Sequence, residues 1–187
     1  MFKIVEFSHL LIKEYITNSN LNFIRCLDAT CGNGFDTLYM ASLLNDKGCV
    51  DGYDIQKIAI DNTSKLLSEK KITNVTLYCK SHDLINPTLY DLAIFNLGYL
   101  PGYDKTIKTN KETTLNALKN LIPRMNKNKM LIIICLYIGH KEGLEESIEI
   151  DKFLKELPSN KYLVCKYQNY NRPTSPYILT LSYNKQK

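Results

Sequence analysis

Hydrophobic residues along the 187-residue chain follow two patterns, helical spacing and short unbroken runs. Helical spacing predicts a leading helix over residues 3–18, packed on a sheet, and further helices over about 35–46, 56–70, 109–122 and 143–157. Apolar runs predict strands at 23–27, 49–54, 75–79, 91–96, 130–136, 161–168 and 177–183. The last two strands have no helix between them, which predicts an antiparallel edge hairpin. The pattern as a whole predicts an α/β fold in one domain, residues 1–187: a seven-stranded, mostly parallel sheet with helices on both faces.

Several element ends carry their own signals. Gly48 follows the second helix and is predicted to end it as a C-terminal cap. Thr109 and Glu112 have the spacing of a capping box, which predicts the start of a helix that stops before Pro123. The run 130–136 is so continuously apolar that it predicts a strand covered on both faces.

Composition changes this picture little. The chain is 44% hydrophobic and 23% charged, with a net charge of +5, which is typical of a slightly basic soluble protein. It contains no run of about 18 apolar residues, so we expect no membrane segment. The first ten residues lack the long apolar stretch of a signal peptide. A core of this size needs no metal, and we expect none.

The six cysteines include no Cys-x-x-Cys pair. Those in predicted strands are interpreted as small buried hydrophobes, which suits a reducing cytoplasm. They are Cys26, Cys49, Cys79, Cys135 and Cys165. Cys31 lies in a loop, where a small side chain is what the position requires.

Residues 23–38 contain the first candidate site. An apolar run ends in Asp28, a turn with Gly32 and Gly34 follows, and helical spacing then begins. Such a turn lets a ligand approach bare backbone, and a helix start offers unpaired N–H groups. The stretch therefore predicts an anion- or nucleotide-binding turn.

Polar residues stand at or just after the ends of four successive strands: Asp28, Asp54, Asp83 and Asn96. Any one of them alone is explained as a cap or turn residue. Ligands of open α/β sheets lie beyond the carboxyl ends of the strands, so four such ends together favour a binding site.

Two ligand classes fit these ends. A dinucleotide requires Gly-x-Gly-x-x-Gly, but Thr37 stands at the third position and hinders close approach of helix and strand. S-adenosylmethionine requires an acceptor for its ammonium, an acid for its ribose diol and a polar edge for its adenine. This second ligand is strongly favoured. Its predicted contacts are Asp28 or Thr30 at the ammonium, Gly32, Asn33, Asp36 and Thr37 at the turn and helix start, Asp54 at the ribose, and Gln56, Ser81, His82 and Asp83 at the adenine, together with Asn96.

The fourth strand end indicates what is methylated. Asn96-Leu97-Gly98-Tyr99 occupies the place where amino-methylating enzymes keep an Asn-Pro-Pro-Tyr-like turn. An asparagine carbonyl can hold the N–H groups of an amine and favour its developing positive charge. The aromatic ring of Tyr99 can stack on a substrate base. The turn thus predicts methyl transfer to nitrogen.

Several stretches together resemble the YtqB/MnmM family over nearly the whole chain. They are DATCGNGFDT at 28–37, NLGYLPG at 96–102 and GHKEG at 139–143, with QNY at 168–170 and PY at 176–177. The resemblance implies the Rossmann-like class I methyltransferase fold. It also implies methylation of the amine of 5-aminomethyl-2-thiouridine at the wobble position of certain bacterial tRNAs. Tyr103 stands where the family pattern has glycine.

The remaining candidates concern proton transfer and RNA. Asp104 and His140 are candidate acceptors for the proton of the substrate amine, although a turn role for Asp104 and helix capping by His140 explain them as well, and bulk water can take the proton. Seven residues are predicted to contact an anticodon stem-loop by stacking on its bases or holding its backbone. The alternative for the charged ones is an ordinary solvated surface. The set is Leu97, Gly98, Tyr99, Tyr103, Lys105, Tyr170 and Arg172.

Other functions stay open on the sequence. The same donor site suits a methyltransferase of rRNA, of a protein or of a small amine. A catalytically silent cofactor- or RNA-binding module is a third class, which the intact strand-end acids and Asn96 disfavour. The apolar edge hairpin is compatible with a homodimer.

Overall fold

The computed structural model describes residues 3–98, 102, 109–127 and 129–184, in which helices and strands alternate as the apolar pattern predicts. Five helices of more than one turn occur in these ranges: α1 Ile4–Asn18, α2 Phe35–Leu44, α3 Lys57–Glu69, α4 Lys111–Leu121 and α5 Lys141–Lys155. The strands are β1 Ile24–Asp28, β2 Gly48–Asp54, β3 Val75–Cys79, β4 Leu92–Asn96, β5 Leu131–Leu136, β6 Tyr162–Tyr167 and β7 Tyr177–Tyr183. Two 3-10 helices cover His82–Leu84 and Ile122–Arg124.

All seven strands form one sheet in the order β3-β2-β1-β4-β5-β7-β6. The first five strands of this order are parallel to one another, and β7 runs antiparallel to both β5 and β6. The predicted α/β fold and its antiparallel hairpin are confirmed. Strand order reverses between β1 and β4, so the carboxyl ends of these two strands flank the crevice where such sheets bind ligands.

Alternate residues of the central strands enter two separate cores. Leu27 and Phe95 pack with α4 and α5 on one face, whereas Cys26 and Ile94 pack with α1 and α2 on the other. Because period-two alternation sends neighbouring side chains to opposite faces, both faces of a central strand are apolar. This confirms that β5 is covered on both faces and that α1, through the fully buried Ile12, packs on the sheet.

Two predicted caps are wrong. Asn110, not Thr109, caps α4, because its side-chain oxygen accepts the N–H of Glu112 at 2.8 Å. Asn45 ends α2 with a φ of 49°, and Gly48 opens β2 instead. A Cβ atom at Gly48 would lie 2.2 Å from the Ile24 carbonyl oxygen, so glycine is required there by the close approach of β1.

The interpretation of the five strand cysteines as buried hydrophobes is correct for only some of them. Cys26 and Cys135 are buried, but Cys79 and Cys165 are exposed and Cys49 is half-buried. β3 and β6 are the two edges of the sheet, where the strands are less completely covered than in the centre. No helix within the described ranges is both long and apolar enough to cross a membrane.

Candidate functional site

A cavity of about 850 Å³ lies at the carboxyl ends of the parallel strands. Its volume is in the range of small-molecule and cofactor sites, about 300–1,000 Å³. The lining residues predicted from sequence are Thr30, Gly32, Asn33, Asp36, Asp54, Gln56, Ser81, His82, Asn96, Leu97, Gly98 and His140. The structure therefore brings most of the candidate residues of the described part of the chain to one cavity.

The turn between β1 and α2 forms one wall. Gly34 has a φ of 83°, and its N–H donates to the Cys31 carbonyl at 2.8 Å. A Cβ at Gly34 would lie 2.9 Å from the side chain of Thr63 on α3, so glycine serves both the left-handed backbone and the close approach of α3. Thr63 also donates to the carbonyl of Gly32 at 3.1 Å, which anchors the turn to α3.

Asp54, at the end of β2, is held by backbone on both of its oxygens. One oxygen accepts the N–H of Gly32 at 3.0 Å and the other accepts the N–H of Gln56 at 2.9 Å. Each carboxylate oxygen has further lone pairs, so this acid can still accept two hydroxyl groups from a ligand in the cavity. Its fixed orientation suits a vicinal diol such as that of ribose.

Asp28 does not reach this cavity. Its carboxylate is fully buried, accepts the Thr37 hydroxyl at 2.5 Å and accepts the N–H of Thr30 at 3.2 Å. Burial, with the nearby negative charge of Asp36, raises the pKa of Asp28 to about 7. Neither Asp28 nor Thr37 lines the cavity, so the prediction of direct ligand contact is corrected for both. They instead stabilise the β1–α2 turn from its buried side. The Asp28 carboxylate accepts hydrogen bonds both from Thr30 in that turn and from Thr37 in the first turn of α2.

Of the residues predicted to contact adenine, some line the cavity and one does not. Ser81 and His82 line the cavity, whereas Asp83 does not. His82 is largely buried and makes a T-shaped ring contact with Phe95, and burial lowers its pKa. Oδ1 of Asp83 is buried with no hydrogen-bond partner among the described residues.

Asn96 ends β4 and lines the cavity. Its backbone N–H donates to the Thr30 hydroxyl at 2.7 Å, which joins the ends of β4 and β1. Its side-chain Nδ2 donates to Oδ2 of Asp36 at 3.0 Å. Since a carboxylate only accepts hydrogen bonds, this contact fixes which end of the amide is nitrogen. Oδ1 of Asn96 is therefore the atom that can accept hydrogen bonds from a ligand.

A buried carboxylate lies beneath the turn that follows Asn96. Glu146 of α5, only 4% exposed, accepts the hydroxyl of Thr109 at 2.8 Å and that of Thr114 at 2.7 Å. The Thr109 hydroxyl in turn accepts the N–H of Gly98 at 2.9 Å, and the Thr109 N–H donates to the Gly98 carbonyl at 2.8 Å. Burial raises the pKa of Glu146. The network ties residues 98 and 109 together and to α5.

Another wall of the cavity comes from the segment between β5 and α5. Tyr137, Gly139 and His140 line the cavity there, and burial raises the pKa of the Tyr137 hydroxyl. His140 precedes α5, but its side chain makes no capping hydrogen bond to that helix. A Cβ at Gly143 would lie 2.7 Å from the His140 ring, so Gly143 makes room for the imidazole.

Other candidates are placed differently. Tyr99, Tyr103, Asp104 and Lys105 lie outside the described residues. Tyr170 is fully exposed and Arg172 is exposed, and neither lines the cavity. Their interpretation as RNA contacts stays a prediction.

Several residues at the site were missed from sequence. His9 of α1 contacts Asp36 at 2.6 Å, although in the sequence it is only one polar residue of an amphipathic helix. Glu146 occupies an inward position of α5, and a carboxylate at an apolar position was a readable signal. Other missed lining residues have no such signal: Val5, Phe35, Ile55, Asn110, Thr113, Tyr137 and Pro176.

The arrangement can bind an amphipathic ligand and present one carbonyl oxygen to a nitrogen nucleophile. Asp54 and the turn suit a nucleoside with a polar tail, while Asn96 and His140 face the remaining space. No group of three or more His, Cys, Asp or Glu placed to bind a metal occurs in the part of the chain that the structure describes.

Comparison with known proteins gives consistent matches. Residues 50–182 match the family described as "Putative rRNA methylase". A tRNA (mnm5s2U34)-methyltransferase, chloroplastic, of Arabidopsis thaliana is 37% identical over 191 aligned positions, 95% of this chain and 68% of the relative. A solved structure described as a putative rRNA-methylase of Clostridium thermocellum is 32% identical, with a TM-score of 0.88 over 98% of this chain and 100% of that one. A putative methyltransferase of Streptococcus mutans, solved in complex with SAH, is 28% identical, with a TM-score of 0.83 over 98% of this chain and 99% of that one.

Proposed function

We propose a function on the basis of family membership: this chain belongs to the family described as "Putative rRNA methylase". The resemblance to the YtqB/MnmM family noted in the sequence is confirmed, and so is the class I methyltransferase fold. The chain is a methyltransferase that uses S-adenosylmethionine and acts on tRNA. Its product is 5-methylaminomethyl-2-thiouridine at the wobble position, formed from the 5-aminomethyl precursor. The observation that carries this proposal is the match over almost the whole chain to a relative named for that wobble nucleoside.

The residues of the cavity fit S-adenosylmethionine. Asp54 would accept the ribose hydroxyls, since both of its oxygens are oriented by backbone N–H groups. Ser81 and His82 would face the adenine, and the turn at Gly32 and Asn33 would face the methionine end. When bound, this cofactor supplies an electrophilic methyl group on a sulfonium.

The protein's own contribution to the reaction is orientation. Asn96 Oδ1 would accept an N–H of the substrate amine and direct the nitrogen lone pair toward the donor. The same carbonyl dipole favours the positive charge that develops on the nitrogen. His140 lines the cavity and is proposed to accept the amine proton before attack. Asp104 and bulk water stay alternatives for this last role.

Cofactor binding has a direct test. Calorimetry with S-adenosylhomocysteine should give a saturable site, and Asp54→Ala should weaken it about 10- to 100-fold through the loss of hydrogen bonds to a charged group. Asp61→Ala, on the exposed side of α3, is the matched control and should bind like the wild type. Tight binding of NADH in place of S-adenosylhomocysteine would overturn the cofactor assignment.

The substrate is tested by mass analysis of tRNA nucleosides from a strain that lacks the gene. Accumulation of 5-aminomethyl-2-thiouridine, reversed by the wild-type protein and not by Asn96→Ala, is the expected result. An unchanged tRNA profile together with a missing methyl group in rRNA would favour the reaction that the family description names. Contacts of the anticodon stem-loop with Tyr99, Tyr103, Lys105, Tyr170 and Arg172, and a cytoplasmic location that keeps the six free thiols reduced, are further parts of the proposal.

A further inference from the structure

A chain of two hydrogen bonds runs from α1 into the cavity. Asp36 of α2 is 7% exposed and lines the cavity. Its Oδ2 accepts Nδ2 of Asn96 at 3.0 Å, while its Oδ1 lies 2.6 Å from Nε2 of His9. A carboxylate has no proton to donate to Nε2, so this imidazole nitrogen carries the hydrogen and donates.

The orientation of a carboxylate depends on how many of its oxygens are held. With Asn96 as the only partner, the Asp36 carboxylate could rotate about its Cβ–Cγ bond and carry the amide with it. The His9 donor occupies the second oxygen, so the plane of the carboxylate is fixed from two sides. Residues that hold another residue's polar group commonly set its orientation in this way.

His9 is itself held in place. Its ring stacks on Tyr39 of α2 with centroids 4.0 Å apart and planes 6° apart. Asp36 lies in the first turn of α2, where the positive end of the helix dipole stabilises a negative charge. The contact is partly shielded, with 23% of the His9 side chain and 9% of the Asp36 side chain exposed. It is therefore better placed to fix geometry than an exposed surface pair.

We propose that His9 is a positioning residue for methyl transfer: through Asp36 it orients the Asn96 amide so that Oδ1 faces the reacting nitrogen. The inference rests on the proposed function for the identity of that nitrogen. The network itself does not depend on which amine is methylated. α1 is thereby part of the active site, although its role in the fold is only to cover the sheet.

The kinetic test uses two matched variants. His9→Phe keeps a ring for Tyr39 but has no donor, whereas His9→Gln loses the ring and keeps an Nε2 donor at a similar reach. We expect His9→Phe to lower kcat on the order of 10-fold, with little change in the KM for S-adenosylmethionine. His9→Gln should recover most of that loss. A role in folding alone would instead make Gln the worse of the two, because it loses the stacking.

A double-mutant cycle separates positioning from a general structural effect. In the Asn96→Ala background the amide is absent, so His9→Phe should cause no further loss of kcat. Losses that multiply across the two sites would overturn the proposal. Thermal melting of each variant shows whether a loss reflects unfolding.

A spectroscopic measurement needs no substrate. The side-chain NH2 signals of Asn96, identified by their loss in Asn96→Ala, should shift in His9→Phe and return in His9→Gln. Unchanged signals in His9→Phe would contradict the inference, whatever tRNA the enzyme methylates. A wild-type enzyme that leaves 5-aminomethyl-2-thiouridine unmethylated, with the NH2 shifts as expected, would overturn only the proposed substrate.

Discussion

At the scale of single residues, Asp28 and Asp54 show how the same side chain at the end of neighbouring strands takes different roles. Asp54 lines the cavity and is oriented by two backbone N–H groups. Asp28 is fully buried, and its carboxylate accepts hydrogen bonds from Thr37 and Thr30. The cost of burying the Asp28 charge appears as a pKa raised to about 7.

This pKa predicts a pH dependence of stability. The carboxyl group has a pKa of about 3.9 when unfolded, so between about pH 4 and 7 the folded state binds more protons than the unfolded state. The free energy of unfolding should therefore fall as pH rises through this window, by at most about 1.4 kcal/mol per pH unit from this group. Below the window the stabilising contribution is complete, and above it the contribution is lost.

Asp28→Asn should remove that fall, because the amide has no proton to lose in this range. Urea unfolding of both proteins at pH 5, 6, 7 and 8 provides the measurement, and the difference between their two pH curves isolates Asp28. Parallel curves would show that Asp28 is ionised throughout the range.

At the scale of elements, the β1–α2 turn depends on glycine at one backbone position. Gly34 has a φ of 83° and no room for a Cβ beside Thr63. Gly34→Ala should lower the free energy of unfolding by about 1–2 kcal/mol, from the left-handed conformation alone, and should weaken binding of S-adenosylhomocysteine. Gly139→Ala is the matched control for stability, since a Cβ at that position would have no atom within 4 Å and its φ is not in the left-handed region. Equal stability of the two variants in urea unfolding would show that α3 yields to the new methyl group.

A second feature at this scale is the hydrogen-bond network that links α4, α5 and the turn after Asn96. The Thr109 hydroxyl accepts the Gly98 N–H and donates to Glu146 of α5, and Thr114 of α4 donates to the same carboxylate. Thr109→Val keeps the shape but removes the hydroxyl, leaving the Gly98 N–H and a buried carboxylate oxygen without this partner.

We expect Thr109→Val to lose about 1–3 kcal/mol of stability and to raise the KM for tRNA, because the turn after Asn96 is no longer tied to α5. Thr109→Ser retains the hydroxyl and should behave like the wild type. Steady-state methylation kinetics with chemical unfolding of both variants would decide, and a defect shared equally by Ser and Val would point to the lost methyl group instead.

At the scale of the whole molecule, the net charge of +5 bears on the proposed RNA substrate. Lys111 and Lys141 begin α4 and α5, directly after the cavity-lining residues Asn110 and His140. Both lysines are exposed. Cations at the starts of these two helices would lie near the phosphates of the proposed anticodon stem-loop if its base entered the cavity.

Binding of a fluorescently labelled anticodon stem-loop should weaken steeply as salt rises. Each phosphate contact contributes about 0.7–0.9 to the slope of log K against log salt. Replacing Lys111 and Lys141 together by alanine should reduce that slope, whereas Lys65→Ala, at an exposed position of α3 that does not line the cavity, should leave it unchanged. A slope that does not respond to the double variant would place the RNA on another face.

The oligomeric state is also a property of the whole molecule. The outer strand β6 exposes Leu163 and Val164 at the edge of the sheet. A homodimer through this hairpin stays a prediction, which light scattering on the purified protein would check.

Local sequence was enough to predict the order of helices and strands, the α/β class, the glycine turn and the polar ends of β1, β2 and β4, whereas Asp83 lies in a 3-10 helix beyond the end of β3. These features depend on local periodicity, on backbone geometry at glycine and on short motifs, all of which lie in neighbouring residues. The strongly apolar β5 and the helix-free gap before β7 were sufficient to predict the central strand and the antiparallel edge. The family resemblance likewise rests on contiguous stretches.

Which polar groups face the cavity and which support it became visible only in the folded chain. His9, Asp36 and Asn96 meet although 27 and 60 positions separate Asp36 from its partners, and Glu146 lies 37 positions from Thr109. Such pairs form because the sheet brings strand ends and helix starts to one edge, and no local pattern encodes that distance. Whether an acid at a strand end faces the cavity or stabilises a turn depends on its neighbours in the folded chain. Thr37 donates to the buried Asp28, whereas Asp54 lines the cavity.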